Sequence, residues 1–209
     1  MKNCLIITGG ARCMKKPDFT YSFVIACDHG YDHAIALGIN PDILIGDLDS
    51  IHADSVYIPL LKHPVRKDDS DTMLAVKYAI ENGYDHIGIL CALGGRIDHL
   101  FANIQSMAYA ASYGCACEIF DDEAHLLTFT GGEILLPKKE GCVLSLFSLS
   151  DSCEHVSISG AKYDAEDITL KNTFPLGLSN AWETEEIRIT MGRGIMLIME
   201  CSVPIENEV

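Results

Sequence analysis

The sequence predicts an α/β protein in which an N-terminal domain with a mostly parallel sheet is followed by an all-β sandwich. Three observations lead there. Through the first half, short apolar runs alternate with helical patterns, the rhythm of βαβ units. Most of those runs are apolar on both faces, as strands covered by helices on either side must be. From about residue 124 the rhythm changes to short strands at intervals of roughly ten residues, divided by turn residues and without a comparable long helix. Charged and small residues in DDEAH, 121 to 125, interrupt two apolar runs, so the expected domains are 1–123 and 124–209.

The elements follow in order. CLIIT (4–8), FVIAC (23–27), ILI (43–45), IGIL (87–90) and ACEIF (116–120) are the expected strands of the first domain. Ser70 can cap a helix running to Gly83, with Asp71 in its first turn and Leu74, Ala75 and Tyr78 on one side. A second helix is expected from about Asp98 to Tyr113, with Phe101, Ile104, Ala108 and Ala111 as its apolar positions and Gly114 ending it. In the second domain LLTF, EILLP, CVLSLFS, HVSIS, DITL, EIRITM and IMLIME are the expected strands.

With 209 residues, 48% hydrophobic and 22% charged, the chain can bury a substantial core. Asp and Glu number 30 against 15 Lys and Arg, which argues against a nucleic-acid backbone or an anionic membrane as principal partner and favours a cationic guest. The nine cysteines are odd in number and several lie within apolar runs, the pattern of reduced, buried thiols. Cys115 and Cys117 form a C-x-C without a neighbouring histidine, a weak zinc signal. The N-terminal apolar run is too short for a signal peptide and no stretch reaches membrane-spanning length, so the expected compartment is the cytoplasm.

Chemistry-bearing groups recur just after the expected strands. Asp28, Gly30 and Asp32 follow FVIAC; Asp47, Asp49 and Ser50 follow ILIG; Gly94, Gly95, Arg96 and Asp98 follow IGILCAL. In an open parallel sheet these strand ends share one edge, where ligands bind. RKDDSDT (66–72) adds Lys67, Asp68, Asp69 and Asp71 at a helix start, a place suited to phosphate. Carboxylates gathered where phosphate binds call for a hard divalent cation between them, and Mg²⁺ suits oxygen donors, water and phosphate. Each motif alone is also an ordinary turn or helix start; four on one edge predict a site. His29 and His33, at i and i+4 without a glutamate partner, are read as helix-surface residues, and His99 is the histidine expected near the site. Neither a G-x-S-x-G elbow nor a Walker loop occurs.

In the order CDHGYD (27–32), GDLDS (46–50), KDDSDT (67–72), GGRIDHLFAN (94–103) and GLSN (177–180), the chain closely resembles thiamine pyrophosphokinases over nearly its whole length. The resemblance implies transfer of the pyrophosphoryl group of ATP to the hydroxyethyl group of thiamine, giving thiamine diphosphate and AMP. It also implies residue roles. Asp47, Asp49 and Asp68 are expected Mg²⁺ ligands, with Asp71 a further ligand or the acceptor of the alcohol proton. Lys67 and Arg96 would neutralise phosphate, Arg96 bidentately, and Asp28 and Asp98 would orient nucleotide or metal-bound water. Ser179 and Asn180 would offer polar atoms to the thiamine pyrimidine in a C-terminal thiamine-binding domain, and a homodimer would build the site between two chains.

Two departures from the family pattern stand out. His29 takes the place of a glycine, and Leu197 stands where some members carry a stacking tryptophan; Trp182 is either a substitute or a packing residue. Two other readings of the motifs are an aspartate-nucleophile phosphatase using D-x-D and a non-catalytic sensor of nucleotide or thiamine.

Overall fold

The computed structural model describes residues 2–46, 58–62 and 69–203. By its contacts the chain divides into two compact units, Met1–Asp122 and Glu123–Val209.

The first unit carries six strands, β1 (Asn3–Ile7), β2 (Phe23–Cys27), β3 (Ile43–Gly46), β4 (Leu60–Lys62), β5 (His86–Leu90) and β6 (Ala116–Phe120). They lie in the order β6-β5-β1-β2-β3-β4, every pairing parallel. Cys4 to Ile7 are buried without interruption, which is why the run shows no alternation in sequence. Helix α1 (Gly30–Ala36) packs on β1 and β2, α2 (Asp71–Glu81) on β1, β2 and β3, and α3 (Ile97–Ser112) on β6 and α2. Strand β4 was not among the expected elements, and helix α1 was expected only in the reading of His29 and His33 as helix-surface residues. The chain steps outward from β1 to β4 and then returns to lay β5 on the other side of β1, so the strand order reverses between β1 and β5, the place where parallel sheets open a crevice.

Ser70 caps α2 as expected, its Oγ accepting from the Met73 amide at 3.2 Å. Ala75 and Ala111 are buried as expected, but the inward faces of the two long helices otherwise differ from the expected ones. In α2 they are Thr72, Ala75, Val76 and Ala79, and in α3 Asn103, Ser106, Met107, Ala110 and Ala111. Phe101 stands 61% exposed. The apolar periodicity pointed to the wrong face of α3 because two polar side chains go inside with their bonds made. Asn103 Nδ2 donates to the Ala92 carbonyl at 2.8 Å and Ser106 Oγ to the Ala102 carbonyl at 2.9 Å.

The second unit holds two antiparallel sheets. One has the order β12-β9-β14-β7, from β7 (Ala124–Phe129), β9 (Cys142–Ser148), β12 (Gly177–Asn180) and β14 (Met196–Ser202). The other has the order β11-β10-β13-β8, from β8 (Gly132–Pro137), β10 (Ser152–Ser159), β11 (Ala165–Lys171) and β13 (Glu186–Met191). Leu144, Leu146, Met196 and Ile198 from the first sheet join Val156, Leu170, Ile187 and Ile189 from the second in one apolar cluster. Strand β12 is the one the sequence did not suggest. Its register against β9 shifts between Gly177 and Asn180, and Ser179 has φ +57°, so a turn-like residue sits inside a strand. Trp182 belongs to the cluster, with its indole N–H donating to the Leu136 carbonyl at 3.0 Å; it is a packing residue.

All nine cysteines are free thiols, seven of them buried. Among the described residues no helix is long and apolar enough to cross a membrane.

Glu200 is the buried carboxylate of the second unit, 4% exposed, accepting from His125 Nδ1 at 2.8 Å and Lys139 Nζ at 2.6 Å. Burial pushes its carboxyl up, but these two hydrogen bonds outweigh burial and hold it below the ordinary 4.5. Its ionisation therefore stabilises the fold above the unfolded value, and that contribution is lost as pH falls through the lower folded value. In urea denaturation followed from pH 7 to pH 3, wild type is expected to lose more stability below about pH 4.5 than Glu200→Gln. Parallel acid limbs for the two proteins would contradict this.

Candidate active site

The ends of β1, β2 and β5 and the start of α2 meet around one cleft of about 790 Å³ in the first unit. Its wall is made by Thr8 to Ala11, Cys27 to His29, Ser70 to Thr72 and a segment from Ala92 to Asn103.

Local bonding explains why these segments hold together. Thr8 Oγ donates to the Cys91 carbonyl, which also accepts from the Gly10 amide at 2.9 Å. The Ala11 amide donates to the Leu93 carbonyl at 3.1 Å. Cys13 and Cys91 exchange amide-to-sulfur bonds, 3.4 Å from Cys13 N and 3.3 Å from Cys91 N. The loop after β1 is thus stitched to the loop after β5. From the other side, Cys27 Sγ at the end of β2 donates to the Asp71 carbonyl at the start of α2 at 3.6 Å.

Two glycines permit close approaches that any side chain would block. A Cβ on Gly30 would run into the Ile7 carbonyl, so α1 sits tight on the end of β1. Gly46, at φ +152°, lies where a Cβ would strike the Asp28 carboxylate. Asp28, itself at φ +42°, is therefore held beside Gly46, the first residue of GDLDS.

Of the residues expected at the site, Asp28, Asp71, Arg96 and Asp98 all line this cleft. Asp47, Asp49, Ser50, Lys67 and Asp68 lie outside the described residues. Asp69 accepts from Lys77 Nζ at 2.7 Å. Arg96 and Asp98 form a two-point pair, Nε to Oδ1 at 3.1 Å and Nη2 to Oδ2 at 2.6 Å. Arg96 in this pair, with the His99 amide, holds the Asp98 carboxyl below the ordinary carboxylate range. Among the described residues no group of three or more His, Cys, Asp or Glu side chains is arranged to hold a metal ion.

Ser179 and Asn180 belong to β12 of the second unit. Ser179 is exposed, its amide donating to Ser145 Oγ at 3.1 Å. Asn180 is buried, and its amide bridges the backbone of Tyr163, accepting from N at 3.0 Å and donating to O at 2.9 Å.

Sequence reasoning passed over part of the wall. Thr8, Gly9 and Gly10 follow the first strand and form the floor, and the strand-end pattern used for the other loops would have found them. The two histidines at the start of and within α1, His29 and His33, part company. His33 is not a surface residue: it is 7% exposed, with Nδ1 3.1 Å from the Thr8 carbonyl, and burial pushes its imidazole below the ordinary range. His29 lines the cleft.

Comparison with known proteins agrees with this architecture. The family description "Thiamin pyrophosphokinase, catalytic domain" matches residues 19–119, and "Thiamin pyrophosphokinase, vitamin B1 binding domain" matches residues 133–196. The thiamine pyrophosphokinase of Bacillus subtilis (strain 168) is 28% identical over 213 residues, covering 95% of this chain and 98% of that protein. The fold is shared with the crystal structure of thiamine pyrophosphokinase from Bacillus subtilis, with a TM-score of 0.85, 24% identity and coverage of 97% of this chain and 100% of that one. It is shared also with that of thiamin pyrophosphokinase from Geobacillus thermodenitrificans, with a TM-score of 0.82, 22% identity and coverage of 97% and 99%. A thiamin pyrophosphokinase from Candida albicans has a TM-score of 0.76 at 16% identity, over 96% of this chain and 89% of that one. With both of the family's domains matched in order along its length, the chain belongs to the thiamine pyrophosphokinase family and has the function of that family, a kinase-type transfer.

Proposed function

We propose that the cleft of the first unit is where the pyrophosphoryl group of ATP is handled on its way to thiamine. Family membership implies ATP and thiamine as the two substrates, with thiamine diphosphate and AMP as products. The observation that carries the proposal is the convergence of Asp28, Asp71, Arg96 and Asp98 from two strand ends, those of β2 and β5, and the start of α2 on one cleft.

The chemistry is an in-line displacement at the β-phosphorus by an alcohol, so the protein's task is to position charged groups. Arg96 is the guanidinium of the cleft wall and would take a phosphoryl oxygen pair with its two donor nitrogens. Lys67 would add a second cation. Asp28, held behind Gly46, would orient the bound nucleotide through water, and Asp98, which holds Arg96 until phosphate replaces it, would then orient nucleotide or metal-bound water. Asp71, in the first turn of α2, is the described carboxylate nearest the role of a metal ligand or acceptor of the alcohol proton.

Mg²⁺ fits this donor set by its chemistry, since the wall offers carboxylate oxygen in Asp28 and Asp71 and the adjoining segments bring Asp47, Asp49 and Asp68. Asp47, Asp49, Asp68 and Asp71 would hold it. Bound there, it would neutralise charge on the phosphate chain.

The second unit, read as a β-sandwich thiamine-binding domain, would meet the pyrimidine through Ser179 and Asn180. Asn180 already bridges Tyr163, so its part would be to fix the strand from which the exposed Ser179 is offered. A homodimer with the site between chains is supported by Phe174, Leu176 and Leu178, which stand 64%, 53% and 57% exposed. The buried free thiols suit a reducing compartment, and the cytoplasm is our assignment.

Three outcomes are expected. Asp47→Asn and Asp68→Asn each lower turnover by on the order of a hundredfold or more while the urea midpoint stays near that of wild type, because a proposed metal ligand is removed and the side-chain size is kept; wild-type activity in both variants would overturn the metal assignment. The assay measures AMP and thiamine diphosphate together, and AMP formed without thiamine would speak against the transfer. Gly46→Ala pushes on the end of the flexible Asp28 side chain, so it is expected to lower turnover more than tenfold for a stability loss of about 1–3 kcal/mol. Sedimentation equilibrium should give twice the chain mass, and Leu178→Asp should shift the protein toward monomer.

A further inference from the structure

We infer that His29, oriented by Asp32, is a binding residue for the polyphosphate chain of the nucleotide. The inference rests on the reading of the cleft as a nucleotide site and adds a residue to it.

His29, which immediately precedes α1, and His33 within it meet edge to face, with ring centroids 4.8 Å apart, but they occupy different surroundings. His33 is buried and bound to the Thr8 carbonyl, so it ties the helix to the floor of the cleft. Its ring in turn supports that of His29. The second support is Asp32, whose Oδ2 lies 3.0 Å from His29 Nδ1. A carboxylate on one ring nitrogen fixes the plane of an imidazole and the tautomer it adopts. His29 Nε2 is then on the ring edge remote from Asp32. The side chain is 40% exposed and forms part of the cleft wall. A ring held on two sides, with its body open to the cleft, is preorganised for a ligand.

The charge of the wall says which ligand chemistry needs it. Its described carboxylates are Asp28, Asp71 and Asp98, and its described guanidinium, Arg96, is already bridged to Asp98 at two points. A triphosphate chain entering such a wall needs additional donors. Bonded to Asp32 through Nδ1 and to a phosphoryl oxygen through Nε2, the ring of His29 would donate at both ends, a charge-assisted pair of hydrogen bonds. His99 also lines the cleft, but among the described residues no carboxylate is bonded to its ring in the way Asp32 is bonded to that of His29. The supported, carboxylate-oriented ring is the one built to keep a fixed direction.

The test is calorimetric titration with α,β-methylene-ATP, which cannot be cleaved between its α- and β-phosphorus, and with AMP. His29→Ala should weaken α,β-methylene-ATP by on the order of tenfold to a hundredfold and leave AMP within about twofold. His29→Gln, which keeps an N–H donor near the position of Nε2, should recover much of the loss. In steady state the same variants should raise the KM for ATP with little change in kcat. If wild type and His29→Ala bind α,β-methylene-ATP equally, this inference falls and the nucleotide site stands. If AMP weakens as much as the analogue, or if His29→Gln with an unchanged melting temperature binds as poorly as His29→Ala, the polyphosphate contact is overturned. Should wild type itself fail to bind the analogue, the nucleotide reading of the cleft fails, and this inference with it.

Discussion

The carbonyl of Cys91 faces back toward β1 because Cys91 is in the left-handed region, at φ +57°. That turn lets one oxygen accept both the Gly10 amide and the Thr8 hydroxyl. Parallel neighbours β1 and β5 send their following loops in different directions, and without a cross-tie the crevice between them would have no fixed width. The exchange of amide-to-sulfur bonds between Cys13 and Cys91 adds a second tie at the same residue, and Asn103 fixes the next carbonyl, that of Ala92. Each such bond contributes about 1 kcal/mol net, but a buried partner left without it loses more than that. The positions of Arg96 and Asp98 follow from this tie, since both stand on the segment that leaves Cys91.

The strands of the first unit were legible because their burial is nearly complete: Leu5, Ile6 and Ile7, or Ile25 and Ala26, can only be interior. The start of α2 was legible because capping by Ser70 is a local event. What escaped depended on distant partners. Asn103 and Ser106 look like surface residues until the Ala92 and Ala102 carbonyls are beside them, so the face of α3 was assigned wrongly. His33 looks exposed until the Thr8 carbonyl is found. Strand β12 has the composition of a turn, and only pairing with β9 makes it a strand. The strand-end motifs at Asp28 and Arg96 were readable because a parallel sheet delivers all its C-terminal ends to one edge, a property of topology and not of any one residue.

In the second unit polar groups are used to lock positions. Asn180 closes a bridge to both backbone atoms of Tyr163, and Glu200 gathers His125 of the neighbouring strand β7 and Lys139 of the connection between β8 and β9. The apolar cluster supplies most of the cohesion, and these few directional bonds decide which register it takes. Trp182 shows the same economy in the core, where its ring fills volume and its one polar atom meets the Leu136 carbonyl.

The two-point pair of Arg96 and Asp98 is exposed, 72% and 60% at the side chains, and water and salt screen it heavily. A phosphate arriving at Arg96 therefore enters an exchange and not an addition: one anion leaves the guanidinium as another takes its place. The ligand-free wall carries its own counter-ion, so the guanidinium need not recruit ions from solution while it waits. Added salt loosens the resident carboxylate and the incoming phosphate together. The ionic-strength dependence of binding at this arginine is thereby muted by the protein's own design of the resting pair.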